Sequence, residues 1–428
     1  MSLLRPASAT GERVSGSAIV LTLTGLLVSL STVVAARQSI HMPWALTAFG
    51  AFVCLGEIMR VTLPGGRDVA PISTSGGLGL ALLANFAGQP ARFGAAAVIM
   101  VVAFAMVVGA LPHVAAGRAP ALDAMARRLL SIAAAAALFR MTPLLALSEQ
   151  LRRWQLAIVL VLIAIVALVI DAVLAAVLRA GRDFAPFWAV LRDELVAIGM
   201  IGTAVGATGV LIALASVFLG YWALPIFLVP LLLTQFAFRR FASIRATYLQ
   251  TIRSLARVTE VGGYTETGHA RRVSELAVAV GKDLGLSEAA LLELEYAALM
   301  HDIGQLSLAE PIPGGATVMA TLDDQRRIAG YGGAVIRQTG VLDGVATIVE
   351  RQADPYRRPI GDTGPQVPLA ARIIRAVNGY DDLVGESTEA SRRIEAIERL
   401  RLGMAYEYDP RVVDSLARVI ERVNRLSL

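Results

Sequence analysis

Long apolar runs fill the first 238 residues, and a shorter helical rhythm replaces them afterwards. Runs long enough to cross about 30 Å of hydrocarbon lie at residues 17–36, 44–63, 93–115, 155–178, 195–219 and 221–238. Two weaker runs complete the pattern: residues 69–88, with Pro71, Ser73, Ser75 and Gly76-Gly77-Leu78-Gly79, and residues 127–147, with Arg140 and Pro143. Small residues let helices approach closely in lipid, so both suit interior spans. The pattern predicts an integral membrane domain over residues 1–238 with about eight spans.

After Arg239-Arg240 the chain turns polar yet keeps a seven-residue apolar spacing, with Phe241, Tyr248 and Leu255 on one row and Ile244, Thr251 and Val258 on the next. Such a stripe suits either a second copy, hence a homodimer, or the chain's own next domain. Gly262-Gly263 ends this linker helix, residues 239–263. Residues 264–428 show helical periodicity without alternating strands and predict helices at 268–285, 288–303, 322–339, 342–352, 368–384, 388–402 and 410–426. Gly285 suits a helix stop and Ser287-Glu288 the next start. The fold class is all-α, a polytopic transmembrane helical bundle followed by an all-α domain.

Composition agrees, since 56% of the 428 residues are hydrophobic and 17% charged, proportions foreign to an ordinary soluble chain. The single cysteine, Cys54, lies in an apolar run and excludes an internal disulfide. A net charge of +5 comes from arginines spread between apolar runs, which points to orientation in a membrane and away from nucleic acid. With the amino terminus inside, Arg5, Arg13, Arg60, Arg67, Arg118, Arg127, Arg128, Arg179, Arg182 and Arg192 fall on the cytoplasmic side, and only Arg37, Arg92, Arg152 and Arg153 opposite. The carboxyl-terminal domain is then cytoplasmic and the protein multi-pass in the cell membrane, with the lipid bilayer as its first partner. A cleaved signal ending at Val33-Val34-Ala35-Ala36 is disfavoured by the length of the run and the spans that follow. Glu57 and Asp171 fall near cytoplasmic span ends, where snorkelling or pairing with Arg60 and Arg179 is enough; Arg140 either lies near an interface or faces the bundle interior and an anionic ligand.

Candidate chemistry concentrates after residue 264. Thr267-Gly268-His269-Ala270-Arg271-Arg272-Val273, Leu284-Gly285-Leu286-Ser287, Ala297-Ala298-Leu299-Met300-His301-Asp302-Ile303-Gly304, Val367-Pro368-Leu369-Ala370-Ala371-Arg372-Ile373 and Tyr408-Asp409-Pro410-Arg411-Val412-Val413 occur in that order. Together they resemble the HD-GYP branch of the HD superfamily across residues 264–424. The resemblance implies a bacterial signalling protein and a phosphodiesterase acting on cyclic di-GMP, with two or three divalent metals such as iron or manganese that activate a bridging water. His269, His301, Asp302 and Asn378 correspond to metal positions, with His301 and Asp302 central to catalysis. On a helix the last pair projects about 100° apart and reaches one cluster.

The departures from that pattern matter equally. Ala329 stands where a further histidine is expected, Val349-Glu350-Arg351 near a histidine pair, Asp354-Pro355-Tyr356-Arg357-Arg358-Pro359 at the GYP signature, Asn378 at an aspartate and Gln305 at a lysine. Alanine and valine ligate nothing, and asparagine offers a carbonyl without charge, so reduced metal occupancy is expected. Asp381, Glu266 and Glu350 are substitute carboxylates, and Arg351, Arg357, Arg358 and Arg372 candidate phosphate contacts. Three readings follow: a degenerate HD-GYP module that binds a cyclic dinucleotide or dimerises; an active phosphohydrolase using His269, His301 and Asp302; and a transporter with a regulatory tail, for which Arg140, Asn85 and Gln89 would form the intramembrane site.

Overall fold

The computed structural model describes residues 16–37, 42–63, 67–118, 121–310, 312, 317, 320–357, 366–387 and 389–426. Arg5, Arg13, Arg358 and Pro359 lie outside the described residues. Residues 16–182 and 190–245 form one compact unit, and residues 183–189 and 246–426 another.

The first unit is helical. Its elements are α1 (Gly16–Ala36), α2 (Pro43–Ile58), α3 (Pro71–Ala81), α4 (Ala95–Ala115), α5 (Leu122–Arg140), α6 (Leu144–Leu147), α7 (Arg153–Asp183), α8 (Phe187–Ala197), a π-turn at Ile198–Gly202, α9 (Thr203–Leu219) and the part of α10 (Ala223–Val261) up to Arg245, the rest of that helix belonging to the second unit. Two small antiparallel hairpins flank α3: β1 (Val61–Leu63) with β2 (Arg67–Val69), and β3 (Asn85–Phe86) with β4 (Gln89–Pro90). Four stretches are long and apolar enough to cross a membrane: α1, α4, α7, and Thr203–Val261, which joins α9 and α10 through a turn at Gly220. Phe104, Leu162, Val229, Leu233 and Phe236 stay exposed on them, as a lipid-facing surface requires.

All eight predicted runs carry helix, but residues 69–88 do not form a span. Only the 11 residues of α3 are helical there, about 16 Å of length against about 30 Å of hydrocarbon. Small residues do allow the close approach expected of them. A Cβ on Gly76, Gly77 or Gly79 would stand 2.6 Å from Phe52, 2.5 Å from Ile132 or 2.9 Å from Ile212, so α3 lies buried among α2, α5 and α9. The last span and the linker, predicted separately, are one 39-residue helix, α10.

A helix ending inside an apolar bundle leaves carbonyls without water. Arg140 resolves this. Its guanidinium donates to Ala81 O (3.0 Å), Leu80 O (3.1 Å), Leu83 O (2.7 Å), Phe93 O (2.9 Å) and Ala91 O (3.4 Å), and stacks over the Phe93 ring. All five of its N–H donors are thus directed at backbone, and the positive group faces the negative end of α3. Arg140 is a clamp on the end of α3. Glu57 pairs with Arg128 at 2.7 Å rather than chiefly with Arg60, which stands at 3.8 Å. Asp171 pairs with Arg127, and Arg179 with Glu194.

The second unit is also helical. After α10 come α11 (His269–Asp283), α12 (Glu288–Met300), a 3-10 turn at Ile303–Ser307, α13 (Leu322–Arg337), α14 (Asp343–Arg351), α15 (Leu369–Val384), α16 (Ala390–Leu402) and α17 (Pro410–Leu426). These match the predicted helices within two or three residues. The Ser287 hydroxyl caps α12 by accepting from Ala290 N. Val273, Ala277, Leu294, Ala297, Ile374, Val377, Val413 and Leu416 meet in the core. Asp283, at the end of α11, accepts from Ser415 (2.7 Å), Arg418 (2.6 Å) and Arg422 (2.7 Å) on α17. Burial alone would raise its carboxyl, but these three donors outweigh that and hold it below the ordinary aspartate range.

Two outcomes are expected. Replacing Arg140 by Met strands the α3 carbonyls and should cost about 3 kcal/mol or more, read as a lower denaturant midpoint of the membrane unit; an unchanged midpoint contradicts the clamp. Asp283 contributes stability that is present above the ordinary aspartate pKa of 3.8 and is lost as pH falls through its lower folded value. Acid unfolding of Asp283→Asn should therefore depend less on pH in that window than wild type.

Candidate metal centre

Gly268 has φ +79°, a left-handed conformation that glycine adopts without penalty, and it sets His269 as the first residue of α11. His301 closes α12 as its cap with helical backbone, whereas Asp302 has already left the helix at φ −97°, ψ 3°. The pair therefore straddles a helix end rather than sharing a turn. Gly304 permits this bend to seat on α13, because a Cβ there would lie 1.9 Å from Ile328 O. Asn378 comes from the middle of α15.

Four acceptor atoms converge. His301 Nε2 lies 3.3 Å from His269 Nε2, 3.1 Å from Asp302 Oδ2 and 3.0 Å from Asn378 Oδ1, and His269 Nε2 is 3.3 Å from Asp302 Oδ2. His269, His301 and Asp302 are each buried. The outer ring nitrogens fix the tautomers: His269 Nδ1 donates to Asp381 Oδ2 at 2.8 Å, and His301 Nδ1 donates to Ala298 O at 2.8 Å. Both Nε2 lone pairs then point inward. Asn378 Nδ2 donates to Thr317 Oγ1 at 3.0 Å and Asp382 Oδ2 at 3.4 Å, which turns its carbonyl oxygen toward the histidines.

The fit to an ion can be tested on these distances. Ligand atoms about 2.1 Å from an ion stand about 3.0 Å apart at a right angle and about 3.4 Å apart at the tetrahedral angle. The observed 3.0–3.3 Å separations fall inside that interval. Asp302 Oδ2 is also buried without a hydrogen-bond donor among the described residues. Two imidazoles, a carboxylate and an amide oxygen form a mixed nitrogen and oxygen set suited to divalent iron or manganese.

Without a metal, a proton must supply the positive charge. Burial lowers the His269 pKa, but the carboxylates of Asp302 and Asp381 outweigh it and push it up to about 10. His301 is likewise raised by Asp302 against its burial and the neighbouring His269. Burial would raise Asp302, yet the two imidazoles hold it well below the usual carboxylate range.

The substitute carboxylates divide. Asp381 sits at the site as the outer partner of His269 rather than as an inward ligand. Glu266 reaches Arg272 at 2.7 Å, and Glu350 pairs with Arg337 away from the cluster. A pocket of about 40 Å³ beside Asp302 and Asn378 is walled by Ala329, Gln352, Ala353, Arg375 and Tyr408. Ala329 thus lines the site as its sequence position implied. Val349 is core instead, and the wall expected near it is formed by Gln352 and Ala353. Among the arginines, Arg372 pairs with Asp409 at 2.6 Å and Arg351 with Asp354. Arg375, absent from the sequence candidates, faces the pocket and donates to Ala353 O and Glu407, both at 2.8 Å. Its spacing signalled this, since residue 375 precedes Asn378 by nearly one helical turn.

Residues 262–412 match the HD domain family. A curated relative, the "cyclic di-GMP phosphodiesterase response regulator RpfG" of Xanthomonas campestris pv. campestris, is 30% identical over 179 residues, 40% of this chain and 47% of that protein. The chain spans about half the length of that relative. The carboxyl-terminal unit is an HD domain.

The His269 proton has a consequence for the metal-free protein. A folded pKa near 10 against an ordinary 6.5 means stability fully present below about pH 6.5 and lost as pH approaches about 10. The urea midpoint of the carboxyl-terminal transition should fall across that window, and the fall should flatten in His269→Gln. A wild-type midpoint independent of pH there contradicts the arrangement.

Proposed function

We propose that this chain is a membrane signalling protein whose cytoplasmic HD domain holds one divalent metal and binds a phosphodiester of the cyclic dinucleotide class, with hydrolysis weak or lost. The observation that carries this reading is the contrast inside one site. Four donor atoms gather around one point, while the adjoining wall offers Ala329, Gln352, Ala353 and one further carboxylate, Glu407, which Arg375 already holds, and no second cluster of metal-binding side chains is found among the described residues.

A bound metal would be held by His269, His301, Asp302 and Asn378 and would supply Lewis-acid activation of a water or phosphate oxygen. Asp302 contributes the only negative charge among those four ligands, so a divalent ion keeps net positive charge and attracts phosphate. Arg375, paired with Glu407 at 2.8 Å, adds a guanidinium at the pocket. Its Nε is buried with no partner among the described residues, as expected of a group placed for an anion. Cyclic di-GMP is the ligand to try first, because the relative's name gives it as that protein's substrate. The arginine distribution supports a cytoplasmic position for the domain.

A homodimer fits one further feature. Ile252 and Ala256 of α10 are buried in the HD core, whereas Phe241, Ile244, Tyr248, Leu255 and Val258 remain exposed along the same helix. That stripe suits a second copy.

Full-length protein loaded with manganese should bind one equivalent, and His301→Ala or Asp302→Ala should abolish it. Asn378→Asp should tighten binding about tenfold or more, because a charge replaces a dipole. Cyclic di-GMP should bind only to the metal-loaded form, without turnover. Two equivalents of metal with turnover that His301→Ala removes would establish the active phosphohydrolase instead. No metal under any condition would sink both readings.

A further inference from the structure

We infer that Glu266, Arg272 and Asp381 form a positioning chain through which the end of α10 sets the metal affinity of His269; this rests on the metal-site reading above. The inner link is the 2.8 Å hydrogen bond from His269 Nδ1 to Asp381 Oδ2. An acceptor at the outer nitrogen fixes ring orientation and raises the basicity of the inner one. Asp381 is itself immobilised, because Arg272 Nε donates to Oδ1 at 2.9 Å and Arg272 Nη2 to Oδ2 at 2.9 Å. This side-on grip needs the planar fork of arginine.

Arg272 is held in turn from the side of the linker. Its Nη2 donates to Glu266 Oε2 at 2.7 Å and its Nη1 to Thr267 O at 3.3 Å. Charges therefore alternate outward from the ring: Asp381 negative, Arg272 positive, Glu266 negative. The first two are buried, whereas the Glu266 side chain is 45% exposed. Only the outermost member is free to move without disturbing the core.

That member is tied to the helix end. Val261 is the last residue of α10, and Gly262-Gly263 follow. The turn folds back on α10: Tyr264 N and Thr265 N both donate to Thr259 O, at 2.9 and 3.3 Å, and the Thr265 hydroxyl donates to the Thr259 hydroxyl. Glu266 is the next residue, and its carbonyl accepts from His269 N at 3.1 Å. A displacement of the α10 end thus carries Glu266 with it, loosens Arg272 on Asp381 and leaves the His269 ring less firmly aimed. Coupling of this kind needs only ångström-scale movement, because hydrogen bonds weaken steeply with misalignment.

Cobalt(II) titration of the full-length protein tests the inference, with the visible absorption of the bound ion as readout. Asp381→Asn and Arg272→Lys should weaken cobalt binding about tenfold to a hundredfold, and Arg272→Lys should alter the spectrum because the imidazole is no longer held. Glu266→Gln, at an exposed side chain, should weaken binding several-fold without lowering the unfolding temperature. One glycine inserted after Gly263 should act like Glu266→Gln, and combining the two should add nothing further. Unchanged affinity in Glu266→Gln, or fully additive effects of the insertion and that substitution, overturns the coupling even if the buried variants fail to fold. Wild-type protein that binds no cobalt overturns the metal-site reading itself, a result separate from either of these.

Discussion

Two imidazole lone pairs, a carboxylate oxygen and an amide oxygen meet inside a buried pocket, each about 3 Å from another. Four acceptors so placed repel one another unless a cation joins them, and burial removes the water that would otherwise screen the repulsion. The surrounding structure can be understood from that requirement. Gly268 starts α11 at His269, the break after His301 turns Asp302 inward, and Thr317 with Asp382 orients the Asn378 amide. Asp381 and Ala298 hold the outer nitrogens so that the inner ones remain free to ligate. The pocket commits these residues to one positive charge at one place, supplied by a metal or, failing that, by a proton on His269.

A parallel constraint shapes the amino-terminal unit. Backbone groups in an apolar medium must find partners within the protein, and α3 ends where its own chain cannot provide them. Arg140 answers with five donors, which makes a deep arginine a structural necessity there. The transporter reading treated Arg140 as part of an intramembrane site, and the five carbonyls remove its main support. In both units, then, a conspicuous charged residue is explained by counting the unsatisfied groups around it.

Much of this was legible in the sequence. Apolar run length separated the two halves, helical spacing located the carboxyl-terminal helices to within a few residues, and the ordered motifs around His269 and His301 singled out three side chains, His269, His301 and Asp302, that meet in the structure. The misses share a cause. Residues 69–88 are apolar enough for a span, but α3 stops at Ala81 and a small hairpin follows it, and periodicity alone does not reveal where helix stops. The roles of Asp381 and Arg375 depend on which face of α15 meets which neighbour. Asp381 was visible as a carboxylate near the site, but whether it met a metal or the back of an imidazole required the third dimension.

The departures from the family pattern are uneven in their effect. Asn378 retains a donor atom beside His301, whereas Ala329 and Ala353 put methyl groups on the adjoining wall, where Glu407 is already held by Arg375. On the proposed reading such a site would hold one ion and lack ligands for a second. Anomalous X-ray scattering from crystals of the manganese-loaded protein addresses that claim directly. One peak bounded by His269, His301, Asp302 and Asn378 is the predicted result, and a second peak beside Ala329 and Gln352, or none at the cluster, would contradict it.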